Sequence, residues 1–282
     1  MAASSSTSTG LEVRILCRRG LLTSPTASLA PGHIQANLLI LPSAYASDFR
    51  SLCARNPVPC PLLGSTALSK IGDASCIQPD SLINASDVDF DIRTDLPQYN
   101  IYESGKLIAT KIDVKHEWTS DHVAFLIGCS YSFEGALAAA GLTPRHWVVG
   151  GNVPMYRTTR RLNPAGIFTS GTYVVSMRPY REEDVSEVRR ITAPYKGMHG
   201  EPIAWGYQDM RELGIVDLDK PHWGDVPEIR EGEIPVFWGC GVTPQDMIMQ
   251  AGDKIKGIVI AHKPGCMLVL DVNEADYFKG EG

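Results

Sequence analysis

The stretch Gly171–Tyr195, "GTYVVSMRPYREEDVSEVRRITAPY", decides the fold class. Its opening, "TYVVSMRP", is a β-branched and aromatic run that reads as a strand. At Pro179 the run hands over to Glu182, Glu183 and Asp184, acidic residues suited to a helix N-terminus, and to a helix ending near Thr192. Ile234–Asp253, "IPVFWGCGVTPQDMIMQAGD", repeats the order of strand, turn and helix. Gly257–Val272, "GIVIAHKPGCMLVLDV", follows as two short strands around Lys263-Pro264-Gly265. Strands alternating with helices point to an α/β architecture rather than a helical bundle. Strand order and direction are not readable from this pattern.

Upstream, Pro31-Gly32 marks a turn, and the apolar positions of "HIQANLLILP" after it are compatible with a helix. A further helix covers Ala44 to Arg55, with Phe49, Leu52 and Cys53 on one face. Three prolines exclude a helix from "NPVPCPLLG". "YNIYESGKLIAT" alternates around Ser104-Gly105 as a hairpin does. "DHVAFLIGCSYSFEGALAAAGL" reads mostly as helix, from a cap-like Asp121 to Gly141, with a break at Gly128-Cys129-Ser130.

A chain of 282 residues suits one large domain or two intimate ones. The Ser/Thr-rich start predicts a disordered tail over residues 1–10, and 11–282 forms a single catalytic unit of two intimately packed α/β subdomains. A formal charge of −6 argues against nucleic-acid or anionic-membrane partners but leaves room for a local Arg cluster that takes a small acid. No apolar run approaches the roughly 20 residues of a spanning helix. Seven cysteines without a C-x-x-C pair are expected to be reduced thiols. Together with a start that lacks Arg, they favour an intracellular, cytoplasmic protein over a mitochondrial one.

Eight blocks occur in order: "PTASLAPGHIQANLLILP", "NPVPCPLL", "DIRTDLPQY", "FLIGCSYSFEGAL", "NVPMYRT", "VVSMRP", "IPVFWGCGVTPQ" and "HKPGCMLVLD". From about Thr23 to Asp271 the chain resembles the hydro-lyase family that also supplies the D-glutamate cyclase domain of a mitochondrial animal protein. The resemblance implies a mixed sheet layered with helices in a three-layer portion, plus a smaller α+β portion. It also implies carbon–oxygen lyase chemistry, with closure of D-glutamate to 5-oxo-D-proline and water as the best-described example. Two positions depart from the family pattern. Cys266 and Ala204 stand where members commonly carry His.

Losing water from a small acid takes a cation or amide nest for the carboxylate, a base, and an acid for the departing oxygen. In "GCGVTPQ", Gly239 and Gly241 permit positive φ and close backbone approach, and Thr243-Pro244 opens a helix whose N–H groups suit a carboxylate. Three readings stay open there: an amide nest, tight-turn packing, or a nucleophilic Cys240. Arg157, Arg93 and Arg178 are the candidate guanidinium clamps, Arg157 first. For proton transfer His262 leads, at an exposed turn, with His199 behind it. Glu134, Asp95 and Asp271 are the carboxylate candidates, and Glu134 lies four residues after Ser130 on one helix face. Gln35, Asn37 and Asn152 either bind polar substrate groups or pin backbone.

No dinucleotide or Walker fingerprint appears, so no organic cofactor is expected. The scattered Cys and His argue against a structural metal site, while a divalent ion held by carboxylates stays open, as does a homo-oligomer. The rival readings are a non-catalytic small-acid binding or sensor domain and an amide or lactam hydrolase with Cys240 as nucleophile.

Overall fold

A computed structural model describes residues 9–279. Most of the expected tail, residues 1–8, lies outside that range. Thr9 and Gly10 belong instead to the first helix, α1 (Gly10–Arg18), which Thr9 caps. Thr9 Oγ1 accepts the Glu12 N–H at 3.3 Å, and the Glu12 carboxylate accepts the Thr9 N–H at 2.8 Å.

Along the chain follow β1 (His33–Pro42), α2 (Ala46–Arg55), β2 (Leu62–Ser65), β3 (Tyr99–Glu103), β4 (Lys106–Lys111), β5 (His122–Gly128), α3 (Tyr131–Ala139), α4 (Arg145–Val149) and β6 (Met155–Arg161). Then come β7 (Thr172–Arg181), α5 (Val185–Thr192), β8 (Ala204–Trp205), α6 (Gly206–Glu212), β9 (Glu233–Gly239), α7 (Thr243–Ala251), β10 (Ile258–His262), β11 (Leu268–Asn273) and α8 (Glu274–Lys279). The architecture is α/β, and every strand pairing is antiparallel.

The larger sheet runs β2-β5-β1-β10-β3-β4. Here β10 and β11 share one edge of β1 in tandem. Leu39 opposes Ala261 of β10, and Ala36 opposes Leu268 of β11, so residues 263–267 loop out between them. The smaller sheet runs β6-β7-β9-β8.

Two elements expected as helix are strands. "HIQANLLILP" is β1, with nine of its ten residues buried, and "HVAFLIG" is β5, buried throughout. Both lie in the middle of a sheet covered on both faces, which erases the alternation that marks a half-exposed strand. On one face Leu38, Ile40, Ala124 and Leu126 pack with Phe133 and Leu137 of α3, Val188 of α5, and Trp238 of the smaller sheet. On the other, Leu39, Leu41, Phe125 and Ile127 pack with Phe49 and Leu52 of α2 and Met247 and Ile248 of α7. Burial of these branched and aromatic side chains, worth roughly 1.5–3 kcal/mol each, holds the layers together.

Helix α1 is fastened by charge. Arg14 is fully buried and donates to Asp87 at 2.9 and 3.0 Å, to Asp271 at 2.7 Å and to the Val269 carbonyl at 2.8 Å. Arg18 grips Asp87 and Asp95, each at 2.6 Å. No helix among the described residues is long and apolar enough to cross a membrane.

Candidate active site

Two strand-to-helix bends meet near the centre of the molecule. One, Gly239–Val242, joins β9 to α7; the other, Gly128–Ser130, joins β5 to α3. Neither Gly239 nor Gly241 has positive φ, so the conformational reason expected for them is replaced by a steric one. A Cβ on Gly241 would overlap the Asn37 amide, and one on Gly239 would stand 3.1 Å from the Val58 carbonyl oxygen. Asn37 Nδ2 in turn donates to the carbonyls of Gly128 at 2.8 Å and Ile127 at 3.3 Å, so one side chain locks both bends. The first bend is stapled to β7. Thr243 Oγ1 accepts the Val174 N–H at 3.0 Å, and the Cys240 N–H donates to the Val174 carbonyl at 3.1 Å.

Cys240 is buried. Burial pushes its pKa up to about 11, although the Val242 N–H and Arg178 pull the other way. Burial raises Cys129, its neighbour on the other bend, as well. Both sulfurs are therefore thiols near neutrality, which removes the nucleophile that the hydrolase reading needs. Cys240→Ala is expected to leave turnover within about threefold of the parent. A loss above roughly a hundredfold in a folded variant would restore the thiol to the mechanism.

Behind the bends lies a dry charge pair. Arg178 of β7 donates through Nε to Glu134 Oε1 at 2.8 Å, and its Nη2 contacts the same oxygen. Its remaining hydrogen bonds go to Ser130 Oγ at 3.0 Å and Ser176 Oγ at 3.1 Å. Glu134 Oε2 accepts from Trp147 Nε1 at 2.6 Å and meets His146 Nε2 at 3.2 Å. Burial alone would raise the Glu134 pKa, but His146 and Arg178 outweigh it and hold the carboxyl at about 2.

Of the three arginines expected as clamps, Arg157 of β6 is the one that keeps part of its guanidinium unpaired. Its Nε donates at 2.6 Å to Asp246 Oδ1, a fully buried carboxylate in the first turn of α7. Its plane rests over Trp223, 4.9 Å from the ring centroid. Among the described residues no hydrogen bond reaches its Nη1 or Nη2. Asp246 and Trp223 thus aim the fork and leave it open. The side chain is 40 % exposed and borders a cavity of about 510 Å³ with Tyr156, Asp217, Lys220 and His222. The His222 Nδ1 accepts the Arg157 N–H at 3.3 Å. Burial, and then the Arg157 charge, lower the His222 pKa and keep the ring neutral at pH 7. Among the described residues no group of three or more His, Cys, Asp or Glu is arranged to hold a metal ion.

The D-glutamate cyclase family model matches residues 123–271, just over half of the chain. A Schizosaccharomyces pombe protein named "Putative hydro-lyase" is 47% identical over 93% of this chain and 84% of its own length. Similarly named proteins of Bordetella pertussis and Rubrobacter xylanophilus are 49% and 48% identical, covering 93% and 94% of this chain and 89% and 96% of theirs. The chain belongs to the D-glutamate cyclase family. A nitrogen repressor-like protein of Methanococcus jannaschii aligns at a TM-score of 0.38 and 11% identity, too distant to carry an argument.

In this member of the D-glutamate cyclase family, the residues expected to act chemically divide sharply. Arg157 stays available; the Gly239–Thr243 bend reaches it only indirectly, through Cys240 and Val242, which share an apolar cluster with the Trp223 that the guanidinium covers. His262 does not sit at an exposed turn. It ends β10 fully buried, with Nδ1 2.8 Å from Gln245 Nε2 and 3.2 Å from the Leu38 N–H, and burial takes its pKa down to about 4. The His262 ring meets the helix that carries the bend through Gln245, whose Nε2 also donates to the His262 carbonyl at 2.9 Å. Arg178 and Glu134 neutralise one another, so neither is free to grip an acid. Asp95 is spent on Arg18 and Asp271 on Arg14. Arg93 folds back onto Asp91 at 2.7 Å.

The amides pin backbone. Gln35 bonds Thr26 and the Leu29 carbonyl, while Asn152 takes the Tyr131 hydroxyl at 2.6 Å and reaches the Pro264 carbonyl at 3.3 Å. Sequence reading missed Asp246, His222 and Trp223. Asp246 carried a signal, an acid in the first turn of a predicted helix; "KPHWGD" carried none, because a loop has no periodicity to read.

Proposed function

We propose that the chain is a lyase removing water from a small amino acid, with closure of D-glutamate to 5-oxo-D-proline the leading candidate. The observation that carries this reading is the Arg157 guanidinium, held by buried Asp246 and by Trp223 at the border of the cavity, with no hydrogen bond among the described residues on its two terminal nitrogens. A planar fork of this kind takes a carboxylate through two parallel hydrogen bonds. Lys220 and Asp217, also on the cavity wall, pair with one another at 2.8 Å and cancel, which leaves Arg157 as the unmatched charge there. His222, neutral and bonded through Nδ1, presents Nε2–H as a donor to the oxygen that gains negative charge when the amine attacks the carboxyl carbon. Water leaves when that oxygen takes up a proton. The reading calls for no organic cofactor, no divalent ion and no covalent enzyme intermediate.

The test is incubation with D-glutamate, L-glutamate and a panel of hydroxy acids, followed by mass spectrometry for loss of water. Arg157→Gln is expected to lower kcat/KM about a hundredfold or more, mainly through KM, and His222→Gln to lower kcat about tenfold. Tight binding of the acids with no product at any pH would make the protein a sensor rather than an enzyme. Unchanged affinity in Arg157→Gln would remove this cavity from the reading altogether.

A further inference from the structure

A second cavity, of about 590 Å³, shares no residue with the first. It lies beside the segments against which the glycine bends pack. Its wall includes Val58, whose carbonyl oxygen packs on Gly239, and His199, next to the segment on which Gly128 packs. Its charged groups are Arg160, Arg189, Lys196 and Glu201. Arg189 Nε bonds Glu201 at 2.7 Å, which cancels one pair and leaves Arg160 and Lys196, a local charge of +2 on a chain of net charge −6.

Two of the three cations lie over aromatic rings. The Arg160 guanidinium lies 4.7 Å from the Tyr173 ring centroid, and that of Arg189 lies 4.8 Å from the Trp205 ring. Each is thus held in place by an aromatic face, which reduces the ordering entropy a ligand must overcome. Among the described residues no hydrogen bond reaches the Arg160 guanidinium or the Lys196 ammonium. The inner wall is built as carefully. His199 is buried at φ +80°, a strained conformation for a non-glycine residue, and its Nδ1–H donates to the Val58 carbonyl at 2.7 Å. Its Nε2 is buried on the side of the Gly128 backbone, without a hydrogen bond of full geometry. Arg160 and Lys196, bordering one concave space with no anionic partner, give it a local positive field that a small anion would neutralise.

We propose that this cavity binds a small dianion, a dicarboxylate or a phosphate monoester, between Arg160, Arg189 and Lys196. Two net positive charges call for two negative ones, and Val58, Ala193 and Ile203 supply apolar wall for a short carbon body. A monoanion leaves one cation unpaired and binds more weakly, as does any ligand at high salt.

The experiment is calorimetric titration of the full chain with glutarate, glycerol phosphate and acetate, with ring ¹⁵N NMR of His199 as the local reporter. One or both dianions are expected to bind at least about tenfold more tightly than acetate and to shift the His199 Nε2 resonance. Arg160→Gln and Lys196→Gln, both changes at accessible side chains, are each expected to weaken that binding about tenfold. The dianion that binds more tightly names the ligand class. Binding that Arg157→Gln removes while Arg160→Gln and Lys196→Gln leave it intact belongs to the other cavity and overturns the proposal. No dianion binding at all, or acetate binding equally well, overturns it too.

Discussion

Glu134→Gln is expected to lower stability by roughly 3–5 kcal/mol, seen as a fall in the urea midpoint at unchanged slope. Glu134 and Arg178 are both fully buried, and the guanidinium is flanked by the Phe133 and Trp238 rings at 5.3 and 5.2 Å. Water cannot replace the missing carboxylate charge at such a position. The amide keeps the shape and some hydrogen bonds but leaves the guanidinium uncompensated in a low-dielectric interior. For a chain of this size the loss corresponds to a drop in Tm of about 10 °C. Removing both charges, as in Glu134→Gln with Arg178→Met, is expected to recover part of the loss, because the penalty belongs to the stranded charge rather than to the pair. A loss below about 1 kcal/mol in the single variant would mean that solvent reaches the pair.

Acid is expected to weaken the fold at a pH where carboxylates are still ionised. Burial lowers the His199 and His262 pKa values from 6.5 to about 4, with the Arg178 charge adding to the effect at His199. The unfolded chain takes up a proton on each ring near pH 6.5, whereas the folded chain refuses it until about pH 4. The stability contributed by the two neutral rings is full above pH 6.5 and is lost as the pH falls toward 4, by about 3 kcal/mol per ring. His122 and His222, also lowered by burial, act in the same direction. Glu134, held at about 2, contributes above its unfolded value of 4.5 and is lost only below that. Between about pH 6.5 and 4.5 the decline therefore belongs to the histidines. Urea midpoints taken from about pH 7 down to pH 5 check this, and a midpoint that stays flat would show that the rings protonate without cost.

Local patterns carried much of the architecture. The 99–111 hairpin, helix α2 and the strand–turn–helix runs at 172–192 and 233–251 were all readable, because each has one exposed face or a marked turn. Strands β1 and β5 were not, since covering both faces with helices removes the alternation that distinguishes a strand from a buried helix. The candidate site divides in the same way. Arg157 was legible as a clamp, and the bend around Cys240 as a place where backbone comes close. The reason for its glycines was not, because the Asn37 amide that requires Gly241 lies some two hundred residues away in the chain.

By itself, the sequence determined the α/β class, the family and the positions at which the chain must turn, because these rest on short-range geometry and on the order of motifs. Only the tertiary structure decided which charged groups remain available. Arg178 and Glu134 stand 44 residues apart and cancel one another, while Arg157 and Asp246, 89 apart, leave half a guanidinium free. Charge pairing depends on distance through space and on exclusion of water. Two arginines identical in the sequence therefore become, after folding, a sealed structural group and an open hand for an acid.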